Sequence, residues 1–216
     1  MKLVIEDLNF KKMMMFQVIL FILISVSCSS QKYLITQSTI KLEGKNTNIR
    51  VFLEIDGCFR NDDFGGSYAM FFEDGIYVKY IGFKEGATED SIRTNMVKWI
   101  KWINNIGLYF GVYRIEGDIL IGHSYDRGSI FRNISFGEER YKIVNRTTLK
   151  QIYWKSRDKI DEKDYQYDPW IKYDFSYRFI PANFLPSSDC WLKEKKWIWR
   201  YEQDWRNYME KKKRKR

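Results

Sequence analysis

Three cysteines and one histidine carry the most distinctive chemistry in this 216-residue chain. His123, Cys58 and Cys190 are too few soft ligands for a structural zinc site without carboxylates, so we expect neither a metal nor a cofactor. The sequence contains no nucleophile elbow, phosphate-binding loop or zinc-protease motif. The chain is therefore not expected to be an enzyme, and no catalytic residue is assigned.

Carboxylates are the other residue type that could do chemistry, and they occur as adjacent pairs at 62–63, 73–74 and 138–139. A glycosidase needs two acids held across a cleft, roughly 5–9 Å apart. Neighbours in a turn do not meet that need. We expect these pairs to be solvated.

The third cysteine, Cys28, follows an export signal. Lys11 and Lys12 precede an apolar run at 13–24, and the small residues 25–27 come directly before the cysteine. The run is shorter than the ~20 residues of a membrane-spanning helix, which favours a cleaved signal peptide. The stretch ending at Cys28 resembles the lipobox of bacterial lipoproteins. That resemblance implies cleavage before Cys28 and acylation of its sulfur; the alternative is an ordinary signal peptide with an incidental cysteine.

The same resemblance implies a location. Ser29 and Ser30 stand where an acidic residue would retain such a protein in the inner membrane. The expected location is the outer membrane of a Gram-negative bacterium, with a soluble domain facing the periplasm or the cell surface. Several acyl chains give stable anchoring. The expected organisation is a signal peptide at 1–27, an acylated N-terminus and linker at 28–47, a β-barrel at 48–186, and an aromatic helix with a basic tail at 187–216.

The net charge of +9 is unevenly distributed along the chain. Six of the seven residues at 210–216 are basic, whereas residues 28–209 are nearly balanced. A nucleic-acid interface normally has a basic face within the fold, interleaved with aromatic side chains. No such stripe occurs in the balanced part, so nucleic acid is not expected as a partner.

Alternating apolar and polar residues dominate the chain from residue 48 onward and predict antiparallel strands. The dipeptide Asp74-Gly75 predicts a hairpin turn, and the stretch 116–118 repeats that signal. A long meander removes its unpaired edges by closing, so we expect a mainly β fold, a closed barrel of about eight strands. Strands are predicted at 48–56, 67–73, 76–83, 108–115, 119–125, 130–136, 140–144, 148–154 and 171–180.

Three segments depart from the strand pattern. Residues 88–105 have helical spacing and predict an inserted helix, whereas residues 155–169 are charge-rich and predict a solvated loop or short helix. Trp191, Ile198 and Trp205 recur every seven residues and predict a C-terminal amphipathic helix. Its apolar face is expected to pack on the barrel, the alternative being contact with anionic lipid together with the basic tail.

Short stretches in a fixed order carry a resemblance to a known family: LEIDGCF at 53–59, YAMFFEDGIY at 68–77, YRIEGDILI at 113–121, YRFIP at 177–181 and SDCWLKEKKW at 188–197. Together with the order of the features above, they resemble the lipocalin-like lipoproteins of Gram-negative bacteria. That resemblance implies a lipocalin-like meander barrel and covers most of 48–197.

Candidate binding residues follow from the barrel interpretation. The expected lining of the interior consists of Phe71, Tyr80, Phe110, Tyr113 and His123, the histidine being hydrogen-bonded inside or at the rim.

Two functions remain open. A hollow barrel would bind a small apolar ligand. A barrel filled by the same side chains would be a non-enzymatic envelope protein that binds another protein through its loops or terminal helix. Cys58 and Cys190 form a disulfide if they lie close enough in an oxidising compartment, and are separate buried thiols otherwise.

Overall fold

A computed structural model of the chain shows a closed antiparallel barrel of eight strands. It describes residues 15, 17, 39–61, 67–81, 88, 90, 98, 110–126, 135–156, 175–182 and 187–215. The chain divides into two compact units, Met1–Gln37 and Ser38–Arg216, and the barrel belongs to the second. The strands are β1 Gly57–Asn61, β2 Ser67–Phe71, β3 Ile76–Ile81, β4 Phe110–Glu116, β5 Ile119–Asp126, β6 Ser135–Asn145, β7 Thr148–Ser156 and β8 Ser176–Pro181.

Each strand pairs with the next along the chain, and β8 closes the barrel on β1. The predicted meander and its closure are therefore confirmed. Gly75 and Gly117 have φ angles of 87° and 62°, as the two predicted hairpins require. Residues 135–136 and 140–144, which were predicted to lie on two strands, belong to one strand, β6, which has register shifts against β7; residues 130–134 are outside the described residues.

The strand predicted at 48–56 is wrong. Asn48 has a φ of 57°, and Ile49–Val51 form a short 3-10 helix. This helix turns the chain so that Ile49 and Leu53, four residues apart, are both buried in the barrel core, whereas Val51 is exposed. An apolar alternation that is typical of a strand thus belongs to a segment that closes one end of the barrel. We call this segment, residues 47–56, the plug.

We call this plugged end the hairpin end, because the short β2–β3, β4–β5 and β6–β7 turns all lie there. The plug is attached to these turns by backbone hydrogen bonds from Thr47 to Glu73 (2.7 Å) and from Glu54 to Arg146 (2.8 Å). At the opposite end, the loop end, strands are joined by the connections 62–66, 82–109, 127–134 and 157–175, which lie almost wholly outside the described residues. Most of the inserted helix predicted at 88–105 falls there, and so do residues 157–169 of the loop predicted at 155–169, whereas residues 155 and 156 belong to β7.

The C-terminal helix begins later than predicted. Helix α1 spans Glu202–Arg214, whereas Trp191–Glu194 and Lys196–Ile198 form two short 3-10 helices. The seven-residue spacing of Trp191 and Ile198 therefore does not belong to an α-helix, although both side chains are buried. Leu42 pairs with Trp199 in a parallel bridge, which joins the segments before and after the barrel.

Candidate functional site

Aromatic rings fill the barrel interior next to the plug. Phe71 contacts Tyr113, Tyr77, Phe59 and Tyr141, with ring centroids 5.5, 5.8, 5.9 and 6.4 Å apart. Most of these contacts are edge-to-face, the geometry in which aromatic pairs add to simple burial. The hairpin half of the barrel is therefore packed with side chains.

A buried ion pair crosses the interior beyond these rings. Lys79 is on β3 and Glu139 is on β6, which are not neighbouring strands, and Lys79 Nζ lies 3.2 Å from Glu139 Oε2. The side chains are 12% and 2% exposed. Burial opposes the charge of Lys79, but the attraction of Glu139 outweighs it and raises the pKa of the lysine. Lys79 therefore stays protonated in spite of its burial.

Hydrogen-bonded groups surround this ion pair. The Tyr141 hydroxyl donates to Glu139. The Tyr177 ring packs edge-to-face on Tyr141, and its hydroxyl hydrogen-bonds to Ser67 Oγ (3.1 Å) and Gln151 Oε1 (3.2 Å). We call these six residues the polar cluster: Ser67, Lys79, Glu139, Tyr141, Gln151 and Tyr177. Five strands contribute to it, so only the closed barrel brings it together.

Two glycines shape the wall beside the polar cluster. The Tyr77 ring extends from β3 across Gly111 on β4 and Gly122 on β5. A Cβ atom at Gly111 would lie 2.2 Å from Tyr77 Cε1, and one at Gly122 would lie 2.9 Å from Tyr77 Cζ. Burial raises the pKa of Tyr77 well above its ordinary value, and the nearby Glu139 adds to that effect.

The polar cluster lies towards the loop end. Lys79 is near the end of β3 that leads into the connection 82–109, and Glu139 is in the first half of β6. Ser67 is the first residue of β2. The packed rings and the plug lie on the other side. A ligand that entered from the loop end would meet donors and acceptors, not a hydrocarbon floor.

The structure separates the residues that the sequence grouped as interior lining. Phe71 and Tyr113 are in the interior cluster. Phe110 and His123 are on the outward face, because successive strand residues alternate and their neighbours Gly111 and Gly122 adjoin the interior Tyr77 ring. Tyr80 pairs with Tyr68 of β2, and its side chain is outside the described residues.

A second layer, formed by residues 188–199, lies over the outward face of these strands. Tyr125, next along the outward face from His123, packs against Trp197 with centroids 5.3 Å apart. Lys193 donates to Asp74 and to Ser188 and so joins this layer to the β2–β3 hairpin. Both faces of these strands are buried, so apolarity alone does not indicate which face is interior.

His123 lies in an outward cluster with Glu138. His123 Nε2 is 3.4 Å from Glu138 Oε2, and Arg140 Nε donates to Glu138 at 2.7 Å. Burial lowers the pKa of His123, with Glu138 opposing. Burial also acts on Glu138, but His123 and Arg140 outweigh it and lower the pKa of the carboxyl. Burial of His123 therefore favours its neutral form.

The cysteines follow the second of the two alternatives. Cys58 and Cys190 are free thiols, and both are buried. Burial raises their pKa values to about 12 and about 11. Cys28 is outside the described residues.

The sequence did not identify the ion pair of the polar cluster. Glu138 and Glu139 are not in a solvated turn but in β6, where both are buried. The available signal was Lys79, which interrupts the apolar stretch Ile76–Ile81 at an inward position.

Comparison of the chain with family models, with curated proteins and with solved structures gives no match. Within the described ranges, no helix has the length and apolarity needed to cross a membrane, and no three His, Cys, Asp or Glu residues are placed to hold a metal ion. The closed eight-strand antiparallel barrel is compatible with a lipocalin-like fold. That likeness rests on architecture.

Proposed function

We propose that this chain is an exported lipoprotein, acylated at Cys28, whose lipocalin-like barrel binds a small amphipathic ligand with its polar end directed at the polar cluster. The lipobox-like sequence before Cys28 supports the anchor. The barrel architecture and the half-polar interior support the binding function.

The observation that carries the binding proposal is the Lys79–Glu139 pair across the interior. A buried ion pair is weak evidence for stability, because hydrophobic residues of similar volume often replace one at no cost. The pair instead places charged donors and acceptors at the bottom of the loop half. Charged groups in this position favour recognition of a polar group.

The charge balance of the cluster limits the ligand further. Lys79 and Glu139 neutralise each other, so a charged ligand group would meet a like charge within a few ångströms. An uncharged group that donates and accepts hydrogen bonds has no such conflict. Tyr141 and Tyr177 add hydroxyls to the same site. The proposed ligand is therefore a small molecule with an uncharged polar head and an apolar body.

Binding of matched alkyl probes tests this proposal. Medium-chain molecules ending in a hydroxyl, a carboxylate or a quaternary ammonium are compared by calorimetry. The hydroxyl probe is expected to bind at least about tenfold more tightly than the charged ones, and Lys79→Met is expected to remove that preference. Lys142→Met, at an exposed lysine of β6, is the matched control and leaves it unchanged. Equal affinity for all three probes would overturn the assigned head group.

A second candidate function follows from the packed rings around Phe71. If side chains fill the loop half as they fill the hairpin half, the barrel is a scaffold in the cell envelope, and its loops or outer layer bind another protein. Absence of binding by every probe, with the barrel folded, would favour this scaffold.

A further inference from the structure

The aromatic face of helix α1 is covered by the preceding residues of the chain. Trp205 Nε1 donates to the Glu194 carbonyl (3.1 Å), and the Tyr208 hydroxyl donates to Asp189 (2.6 Å). The Tyr208 ring also packs on Trp199, with centroids 5.6 Å apart. The aromatic side of the helix is therefore occupied by the chain itself and is not free to insert into lipid.

The exposed side of α1 is strongly basic at its C-terminal end. Lys212 pairs with Glu194 at 2.6 Å. The basic residues around it have no ion pair within the part of the chain that the structure describes. We call these four residues the basic end: Lys211, Lys213, Arg214 and Lys215.

The beginning of α1 lies beside the segment that leads back to Cys28. The Leu42 amide donates to the Ile198 carbonyl and the Arg200 amide donates to the Leu42 carbonyl, both at 2.8 Å. Gly44 lies so close to Asp204 of α1 that an added Cβ would be 2.7 Å from the carboxyl carbon. Residues 42–44, on the path back to Cys28, thus lie beside the beginning of α1.

The length of helix α1 and the length of the chain between Cys28 and the barrel decide whether the basic end can reach an anchoring membrane. The 13 residues of α1 span about 20 Å. The stretch between Cys28 and residue 39 reaches at most about 40 Å when extended. The tether and the helix together are about 60 Å long, so an acyl chain on Cys28 would leave the basic end able to reach the lipid surface.

We propose that the basic end of α1 contacts an anionic phospholipid surface and orients the anchored barrel on the membrane. This inference rests on the anchor proposed at Cys28. The chemistry is charge complementarity: each Lys or Arg near an anionic membrane favours contact by roughly fivefold, so three of them supply on the order of 100-fold.

A fluorescent label read against a lipid-borne quencher tests the contact. The membrane-extracted full-length protein is labelled at Asn207→Cys, on the exposed side of α1, and reconstituted into vesicles of phosphatidylcholine alone or with phosphatidylglycerol. Quenching is expected to increase several-fold in the anionic vesicles and to be lost in high salt, because salt screens the attraction. A label at Glu116→Cys, on the β4–β5 hairpin, is the positional control.

Charge reversal gives matched variants. The triple change Lys211→Glu, Lys213→Glu and Arg214→Glu is expected to abolish the lipid-dependent quenching. The control reverses three exposed basic residues of the barrel, Arg114, Lys142 and Arg146, and so changes the net charge by the same amount. This control is expected to retain the effect.

The outcomes separate the contact from the anchor. Equal quenching at Asn207→Cys in neutral and anionic vesicles, with the protein retained on both, overturns the contact and leaves the anchor intact. Failure of the protein to stay on neutral vesicles overturns the anchor. Loss of the effect in the barrel control as well would mean that net charge, and not the basic end, is responsible.

Discussion

Breaking the ion pair that crosses the barrel is expected to destabilise the protein severely. In Lys79→Met, Glu139 remains buried without its cationic partner. With the charged atoms 3.2 Å apart, an effective dielectric constant of about 20 gives an attraction of roughly 5 kcal/mol. Removing one partner of a buried pair costs about 3–5 kcal/mol. We expect Lys79→Met to lower the free energy of unfolding by that amount.

Removing both charges together is expected to restore much of the loss. In the double variant Lys79→Met, Glu139→Gln, no unpaired charge remains, and the new amide oxygen at position 139 still accepts from Tyr141. Buried pairs replaced by neutral groups are often neutral in stability. The double variant should therefore lie within about 2 kcal/mol of the parent, and the coupling energy should be about 3 kcal/mol or more.

Urea unfolding followed by circular dichroism measures the stability of the parent, of Lys79→Met, of Glu139→Gln and of the double variant. Lys142→Met, whose side chain is 54% exposed and 4.0 Å from Asp118, is the control and should cost no more than about 0.5 kcal/mol. Single-variant losses that add up in the double variant to within about 0.5 kcal/mol would refute the reasoning, because the two charges would then not depend on each other.

Three further predictions concern packing, protonation and thiols. Gly111→Ala should cost about 1–3 kcal/mol in urea unfolding, because the new methyl group would overlap the Tyr77 ring. Burial lowers the pKa of His123 below its ordinary 6.5, so the unfolded chain takes up a proton that the folded protein does not, and stability should fall as the pH drops below about 6.5; His123→Gln should flatten that slope. Cys58 and Cys190 should react with iodoacetamide at least on the order of 100-fold more slowly than a free thiol, and fully in urea without reductant.

Each of these has a contrary result. Unchanged stability of Gly111→Ala would mean that the Tyr77 ring does not lie against β4. The same pH slope in His123→Gln as in the parent would assign the titration to another group. Alkylation in urea that requires prior reduction would show a disulfide and contradict the free thiols.

Local turn chemistry made the barrel predictable. A glycine between two runs of alternating residues indicates a hairpin turn, because few other residues adopt a positive φ. Both hairpin glycines, Gly75 and Gly117, have such a φ. Closure of the barrel then followed, because an open meander of this length would leave two strand edges unpaired.

Alternation was misleading where it did not arise from a sheet. Ile49, Leu53 and Ile55 repeat with period two, but they bury their side chains from a plug that turns at Asn48. Only contact with the finished barrel end selects the short 3-10 helix over a strand. Trp191 and Ile198 misled in the same way. They lie in two separate 3-10 helices, and their side chains are buried by contacts with other parts of the fold, not by sharing one face of an α-helix.

The polar cluster was beyond local reasoning. Lys79 and Glu139 are sixty residues apart on strands that do not pair, so neither predicts the other. Phe110 and His123 show the converse: a second layer covers the outward face of β4 and β5, and apolarity then marks both faces.

A native mass spectrum of the membrane-extracted protein tests the central claim most directly. If the polar cluster receives an uncharged polar head group, the parent protein should retain a small-molecule mass in addition to its polypeptide and acyl chains. The double variant Lys79→Met, Glu139→Gln should lose that mass while staying folded. A parent spectrum that contains only the acylated polypeptide, or a ligand retained equally by the double variant, would contradict the account.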